Sequence, residues 1–182
     1  MDNLVLQNYG VTLRRLTHDK IEMLRCWRND PKIQQYMFYR EYITPEMQEA
    51  WFKRINNEHN YYFIIEYEGN EIGLINVKDI DYGKKTGESG VFIYDESYQN
   101  SDVAYRAHLV MFDFVYGELH LADTYSHIIG NNTRALRFAL FIGSKALSDA
   151  PDNTAYVLYA DDYFNNMNRQ HFLKRWNHFN KQ

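Results

Sequence analysis

The run from Glu88 to Ile129 constrains the fold of this chain more than any other stretch. It opens on "ESGVFIYD", rich in β-formers, passes through the loop "YQNSDVAYRA", and ends on "ADTYSHII", again rich in β-formers. In between, Val103, Ala107, Val110, Met111, Phe114 and Val115 recur at helical spacing. Two strands joined through a helix make a right-handed crossover, so they lie parallel. The segment just upstream has another character. "YYFIIEY" and "EIGLINVKDI" flank Glu68, Gly69 and Asn70, a hairpin signal, and "DYGKKTG" leads into the first crossover strand. An antiparallel meander followed by a βαβ unit predicts a mixed sheet with helices on both faces, an α/β (α+β) fold. In such sheets a ligand sits at the carboxyl ends of the parallel strands, here residues 93–104 and 128–134.

The flanks add elements. "GVTLRRL" reads as a strand, and Thr17 is placed to cap a helix carrying Ile21, Leu24 and Trp27 on one face. Asn29, Asp30 and Pro31 interrupt it. Thr44 followed by Pro45 starts a second helix, with Met47, Ala50, Trp51 and Ile55 as its inner face. "NNTRALRFALFIG" predicts a short helix, apolar nearly all round and therefore buried, that ends at Gly143. A hairpin about "APDN" follows, with "TAYVLYA" as its better strand, then a polar, aromatic tail over 162–182. The 182 residues, 45% hydrophobic and 16% aromatic, predict a single domain over 1–182 with a sizeable core.

The same composition narrows the function. A net charge of −4, with Lys and Arg dispersed, gives no footprint for nucleic acid or an anionic membrane surface. The N-terminal "MDNLVLQNYG" is too weakly apolar for a signal peptide, and no run is long enough to span a membrane, so a cytoplasmic protein is expected. Cys26, the single cysteine, is expected as a buried helix residue rather than a nucleophile. The seven histidines show no ligand spacing, so no metal site is expected.

In this order the motifs resemble those of the GNAT N-acetyltransferases, from roughly Val11 to Tyr159. That family has a Q/W-x-x-G-x-G/A loop opening a helix that ends in E-L-x-L, then a strand running into N-N-x-x-A. Glu118-Leu119-His120-Leu121 and Asn131-Asn132-Thr133-Arg134-Ala135 keep the last two features. "WRNDPKIQQYM" followed by "ITPEMQEAWF" is similar to a branch of the family. That branch includes ribosomal-protein N-terminal acetyltransferases and, more closely, amino-sugar N-acetyltransferases of pseudaminic-acid-type pathways.

The resemblance implies acetyl-CoA as acetyl donor, held by Gln99, Asn100, Ser101, Asp102, Val103 and Ala104. There the free N–H groups and dipole of a helix start favour a pyrophosphate. Asn132 matches the family asparagine that bonds the pantetheine arm, and it also suits a helix N-cap. Arg134 is expected in solvent. A main-chain N–H at Ile93 or Tyr94 would stabilise the oxyanion. Glu88 is implied as general base, the plain alternative being a solvated carboxylate, and His127 on the facing strand could relay a proton. Tyr36, Met37, Phe38, Tyr39 and Arg40 are implied to shape the acceptor pocket, whereas Trp27 and Trp51 are expected in the core. The sequence departs from the pattern three times, once at Ser144, where relatives have an aromatic. Ala139 occupies the place of the tyrosine that protonates the departing thiolate, which leaves Tyr94, Tyr159 or solvent. Asp102 occupies the place of a glycine, where its carboxylate can cap the helix and repel phosphate. The acceptor implied is a small-molecule amine, a nucleotide-linked amino sugar first among them, acetylated by direct transfer in a ternary complex. A protein N-terminus and a non-catalytic coenzyme A-binding role are the alternatives. No nucleic-acid or membrane partner is expected, and a homodimer is left open.

Overall fold

The structure, a computed structural model, describes residues 4–147 and 153–179. One eight-stranded sheet runs through them, in the order β1-β2-β3-β4-β5-β6-β8-β7. The strands are β1 (Val5–Asn8), β2 (Val11–Arg15), β3 (Tyr61–Tyr67), β4 (Asn70–Asp81), β5 (Thr86–Ile93), β6 (Asp123–Ile129), β7 (Lys145–Ala146) and β8 (Asn153–Tyr159). All neighbours pair antiparallel except β5 and β6, which are parallel as the crossover requires. The helices are α1 (Ile21–Asn29), α2 (Pro31–Gln34), α3 (Pro45–Ile55), α4 (Val103–Gly117), α5 (Thr133–Phe141), α6 (Ala160–Asn165) and α7 (Met167–Phe179). The β3–β4 turn has Glu68 at φ 50° and Gly69 at φ 82°, the left-handed pair that a two-residue hairpin needs.

Alternation along the strands builds two cores. Leu13, Phe63, Ile65, Ile75 and Val77 turn to one face, under α4. Tyr62, Ile64 and Leu74 turn to the other, where Leu24 and Trp27 of α1 and Phe52 and Ile55 of α3 meet them. Each such buried aliphatic or aromatic side chain contributes about 1.5–3 kcal/mol. The sheet is thus covered on both sides, and its functional faces differ in what covers them.

Several elements depart from expectation. β1 was not expected. It pairs with β2 through a turn at Tyr9 (φ 52°) and Gly10 (φ 72°). Thr17 makes no cap, because its hydroxyl donates to Asp19 instead. In α3, Gln48, Phe52 and Ile55 are buried while Met47 is exposed, so the inner face is rotated from the expected one. The cause is α1: Gln48 donates to the Ile21 carbonyl, which fixes how the two helices meet. α5 buries only Ala139 and leaves Leu140 and Phe141 exposed, so it lies on the surface rather than inside. Cys26 is exposed on α1. The stretch expected as a tail forms α6 and α7. There Phe172 and Trp176 pack on Tyr9, and Asp113 accepts from Tyr9, Tyr163 and Arg169. Gly143 does end α5 in the left-handed region, at φ 98°. The turn about "APDN" falls mostly on 148–152, outside the described residues; β7 and β8 flank it.

Candidate active site

Strands β5 and β6 pair only at their start, Thr86–Glu88 against Asp123–Tyr125. β5 then runs on to Ile93 and β6 to Ile129 with no further register between them. The sheet therefore opens into a V at the carboxyl ends of the parallel pair, where the sequence placed a ligand. Its unpaired main chain is available. Tyr94 N–H donates to the Ile72 carbonyl at 2.7 Å, toward β4. Alternation along the strand turns the N–H of Ile93 the other way, into the V. Of the two N–H groups expected as oxyanion donors, that of Ile93 points into the V and that of Tyr94 is taken by the sheet.

The face under α4 carries the loop singled out by sequence. Just before α4, the Ser101 hydroxyl accepts from Val103 N–H at 3.2 Å. The main-chain N–H groups of Ala104 and Tyr105 have no acceptor among the described residues, as the first turn of a helix leaves them. Asp102 does not cap the helix. Its carboxylate pairs with Arg106 one turn on, with both contacts at 2.9 Å, so its charge is largely offset. Gln99 turns back to the V and donates to the Ile93 carbonyl at 3.4 Å. Its other amide atom accepts from Arg134 of α5, which is exposed as expected. Asn132 caps α5, accepting from Ala135 N–H at 3.1 Å. Asn100 is exposed beside this turn. The loop thus joins α4, α5 and the mouth of the V.

The opposite face, under α1 and α3, carries the titratable groups. Glu88 lies 3.1 Å from Lys78 Nζ and 4.0 Å from His127 Nδ1 across the β5–β6 pairing. The Phe38 ring meets the His127 ring edge-on at 6.4 Å. Phe38 belongs to the segment between α2 and α3, whose two ends are tied down. Asp30 caps α2 by accepting from Lys32 N–H, and Asn29 brackets Ile43 by bonding both its N–H and its carbonyl. Between the anchors Tyr36, Phe38 and Tyr39 stay exposed, Arg40 donates to the Met37 carbonyl, and Tyr39 donates to Glu41. On β5 the residue after Ser89 is Gly90. A Cβ there would stand 3.2 Å from the Asn76 side chain, so the sheet stays bare between Glu88 and Phe92.

The two tyrosines expected as proton donors have other partners in the structure. Tyr94 stacks on Trp27 at 5.0 Å, carries Lys32 on its ring, and donates to Asp30. Tyr159 pairs with Asp123 at the closed end of the V. Tyr156 packs with Ile128 against Ala139 in a small buried cluster, which the sequence did not single out.

A family model described as "Acetyltransferase (GNAT) domain" matches residues 11–145. The chain belongs to the GNAT acetyltransferase family. As an acetyltransferase of this family it uses acetyl-CoA as donor, and the free N–H groups at the start of α4 and the unpaired strands of the V fit such a molecule. Spermidine N(1)-acetyltransferase of Escherichia coli is 24% identical over 136 residues, 74% of this chain and 73% of that protein. The fold is shared with spermidine N-acetyltransferase of Vibrio cholerae, solved in complex with CoA and spermine. That similarity has TM-score 0.79 and 21% identity, covering 87% of this chain and all of that one. A dodecameric structure of the V. cholerae enzyme matches at TM-score 0.71 and 19% identity over 88% of this chain and 99% of that one. These relatives are polyamine acetyltransferases, a branch that the sequence reading did not name. Among the described residues no helix is long and apolar enough to cross a membrane, and no group of His, Cys, Asp and Glu could hold a metal ion.

Proposed function

We propose that this GNAT member acetylates the primary amine of a small molecule by direct transfer, the donor on the α4 side of the V and the acceptor on the α1–α3 side. The observation that carries the reading is the Glu88–His127 pair at 4.0 Å, set across the start of the V with the Phe38 ring against His127. Acetyl-CoA supplies an acetyl thioester. The acceptor's ammonium must lose a proton before its nitrogen can attack, and Glu88 takes it, directly or through water, with His127 placed to relay it. As the C–N bond forms and the C–S bond breaks, the N–H of Ile93 donates to the carbonyl oxygen that gains negative charge. The departing sulfur takes its proton from solvent or from the Tyr156 hydroxyl. Gln99, Asn100, Ser101, Val103, Ala104 and Asn132 hold the donor, with Asp102 kept neutralised by Arg106. Phe38, Tyr36, Met37, Tyr39 and Arg40 border the acceptor.

Two acceptor classes compete within this reading. The named relatives act on spermidine, which favours a polyamine. The motifs between Trp27 and Phe52 favour a nucleotide-linked amino sugar. The dodecameric relative supports self-association of this chain. Purified protein incubated with acetyl-CoA and separate amines, among them polyamines, amino sugars, sugar nucleotides and short peptides, should release free thiol with a small-molecule amine. Acetyl-CoA binding without thiol release from any of them assigns the chain a binding role instead. Release with peptides alone assigns it to protein N-termini.

A further inference from the structure

Strand β4 is irregular where it passes Glu88. Its pairing with β5 is regular from Gly73 to Lys78 and shifts between Lys78 and Asp81. In that gap Asp79 stands at φ 52°, a left-handed conformation that a residue with a side chain adopts at a cost. The surrounding chain holds it there. Asp79 N–H donates to Asn60 Oδ1 at 3.1 Å, and the N–H of Ile80 donates to the His59 carbonyl at 2.9 Å. Asn60 is buried, and the buried Arg15 donates to its carbonyl and to that of Asn57. The loop before β3 thus clamps the bulge in β4.

Alternation turns Leu74, Asn76 and Lys78 to the α1–α3 face and would turn Asp79 to the other. With the left-handed bulge, Asp79 Oδ2 instead lies 3.2 Å from Lys78 Nζ. On its other side Lys78 Nζ lies 3.1 Å from Oε2 of Glu88, its direct cross-strand partner. The two oxygens of Glu88 are thereby divided. Oε2 meets Lys78, and Oε1 faces His127 Nδ1 at 4.0 Å across the start of the V. With side chains 32% and 36% exposed, the Lys78–Glu88 pair adds little to stability. Folding alone therefore gives no reason for the strained turn behind it.

Resting on the reading of Glu88 as the base, we propose that Lys78 is a positioning residue for acetyl transfer. It fixes one oxygen of Glu88 and leaves the other, beside His127, to take the proton of the acceptor's ammonium. The bulge at Asp79 steadies Lys78 from the opposite side. In this role Lys78 touches neither donor nor acceptor. A carboxylate held in one orientation takes a proton without first having to be ordered, and a small misplacement of such a group lowers the rate.

The test is a mutant cycle read by thiol release from acetyl-CoA, with the amines named above, spermidine and glucosamine among them. The proteins are the wild type, Lys78→Met, Lys78→Arg, Asp79→Gly, Glu88→Gln and the double variant of Lys78→Met with Glu88→Gln. Lys78→Met should lower kcat about tenfold and keep the acceptor KM and the acetyl-CoA dissociation constant within about twofold, as expected for a misplaced catalytic group. Its melting temperature should hold, because only a surface pair is lost. Lys78→Arg keeps the charge in place and should recover most of kcat. Asp79→Gly keeps the turn, which glycine adopts freely, and should cost kcat less than Lys78→Met. Adding Lys78→Met to Glu88→Gln should change nothing further, because Lys78 acts only through Glu88. An unchanged kcat in Lys78→Met, a loss in KM instead, no recovery in Lys78→Arg, a greater loss in Asp79→Gly, or an added loss in the double variant overturns the proposal. If Glu88→Gln keeps its rate, or if no amine releases thiol, the catalytic reading fails rather than this one. Crystal structures of the wild type and Lys78→Met then decide. Glu88 Oε1 toward His127 in the wild type, and turned away or split between rotamers in the variant, supports the positioning; one and the same rotamer in both refutes it.

Discussion

On the α4 side of the V the molecule offers mostly main chain: the N–H groups of Ala104, Tyr105 and Ile93, with Asn132 capping α5 and Ser101 bonded to Val103 N–H. On the α1–α3 side it offers side chains: Glu88, Lys78, His127 and Phe38, drawn from three strands and the segment between α2 and α3. A donor common to a whole family can be held by main-chain geometry, which tolerates many side chains. An acceptor particular to one member must be read by side chains, so that face changes from one member to the next. The comparison predicts that substitutions on the two sides separate cleanly in kinetics.

The largest separation should come from Glu88→Gln, which lowers kcat by roughly a hundredfold or more, the range for losing a general base. The dissociation constant of acetyl-CoA, measured by calorimetry, should hardly change. A drop of under threefold, or an unaltered pH–rate profile, would break the assignment of the base to this face. Next is Phe38→Ala, which removes the ring against His127. It should raise the acceptor KM several-fold, the scale of one aromatic contact of about 0.5–1.5 kcal/mol, and leave the melting temperature near that of the wild type because Phe38 is 57% exposed. A fall in stability with no change in KM would make it a packing residue.

The α4 side was the more legible of the two in the sequence. The order strand, loop, helix, strand and N-N-x-x-A lies within one continuous stretch, and local spacing carries it. Helix starts at Thr44, the Glu68–Gly69 turn and the end at Gly143 were legible for the same reason: each is a local rule. The acceptor side depends on contacts distant in sequence, such as Phe38 with His127. No spacing rule reports these. The aromatic segment was singled out as a whole, but which ring meets the pair is set by the anchors at Asp30 and Ile43. The tail was misjudged because the apolar residues of α7 are few and its partner, Tyr9, lies at the other end of the chain. Asp102 was misjudged because its cap and its pairing with Arg106 compete, and the sequence alone does not rank them.

The smallest effect expected belongs to Asp102→Asn. Removing the carboxylate frees Arg106 beside the start of α4, so coenzyme A should bind about two- to threefold tighter at low salt, and less so as salt rises. Equal affinities at both salt concentrations would mean that this turn does not face the phosphates.

The central claim is that donor and acceptor occupy the two sides of the V together and that the acetyl group passes directly between them. Initial velocities of thiol release, measured over a grid of acetyl-CoA and acceptor concentrations, test it most directly. Lines that intersect in double-reciprocal form are the predicted result. Parallel lines, together with an acetylated protein detected by mass in the absence of acceptor, would contradict the account.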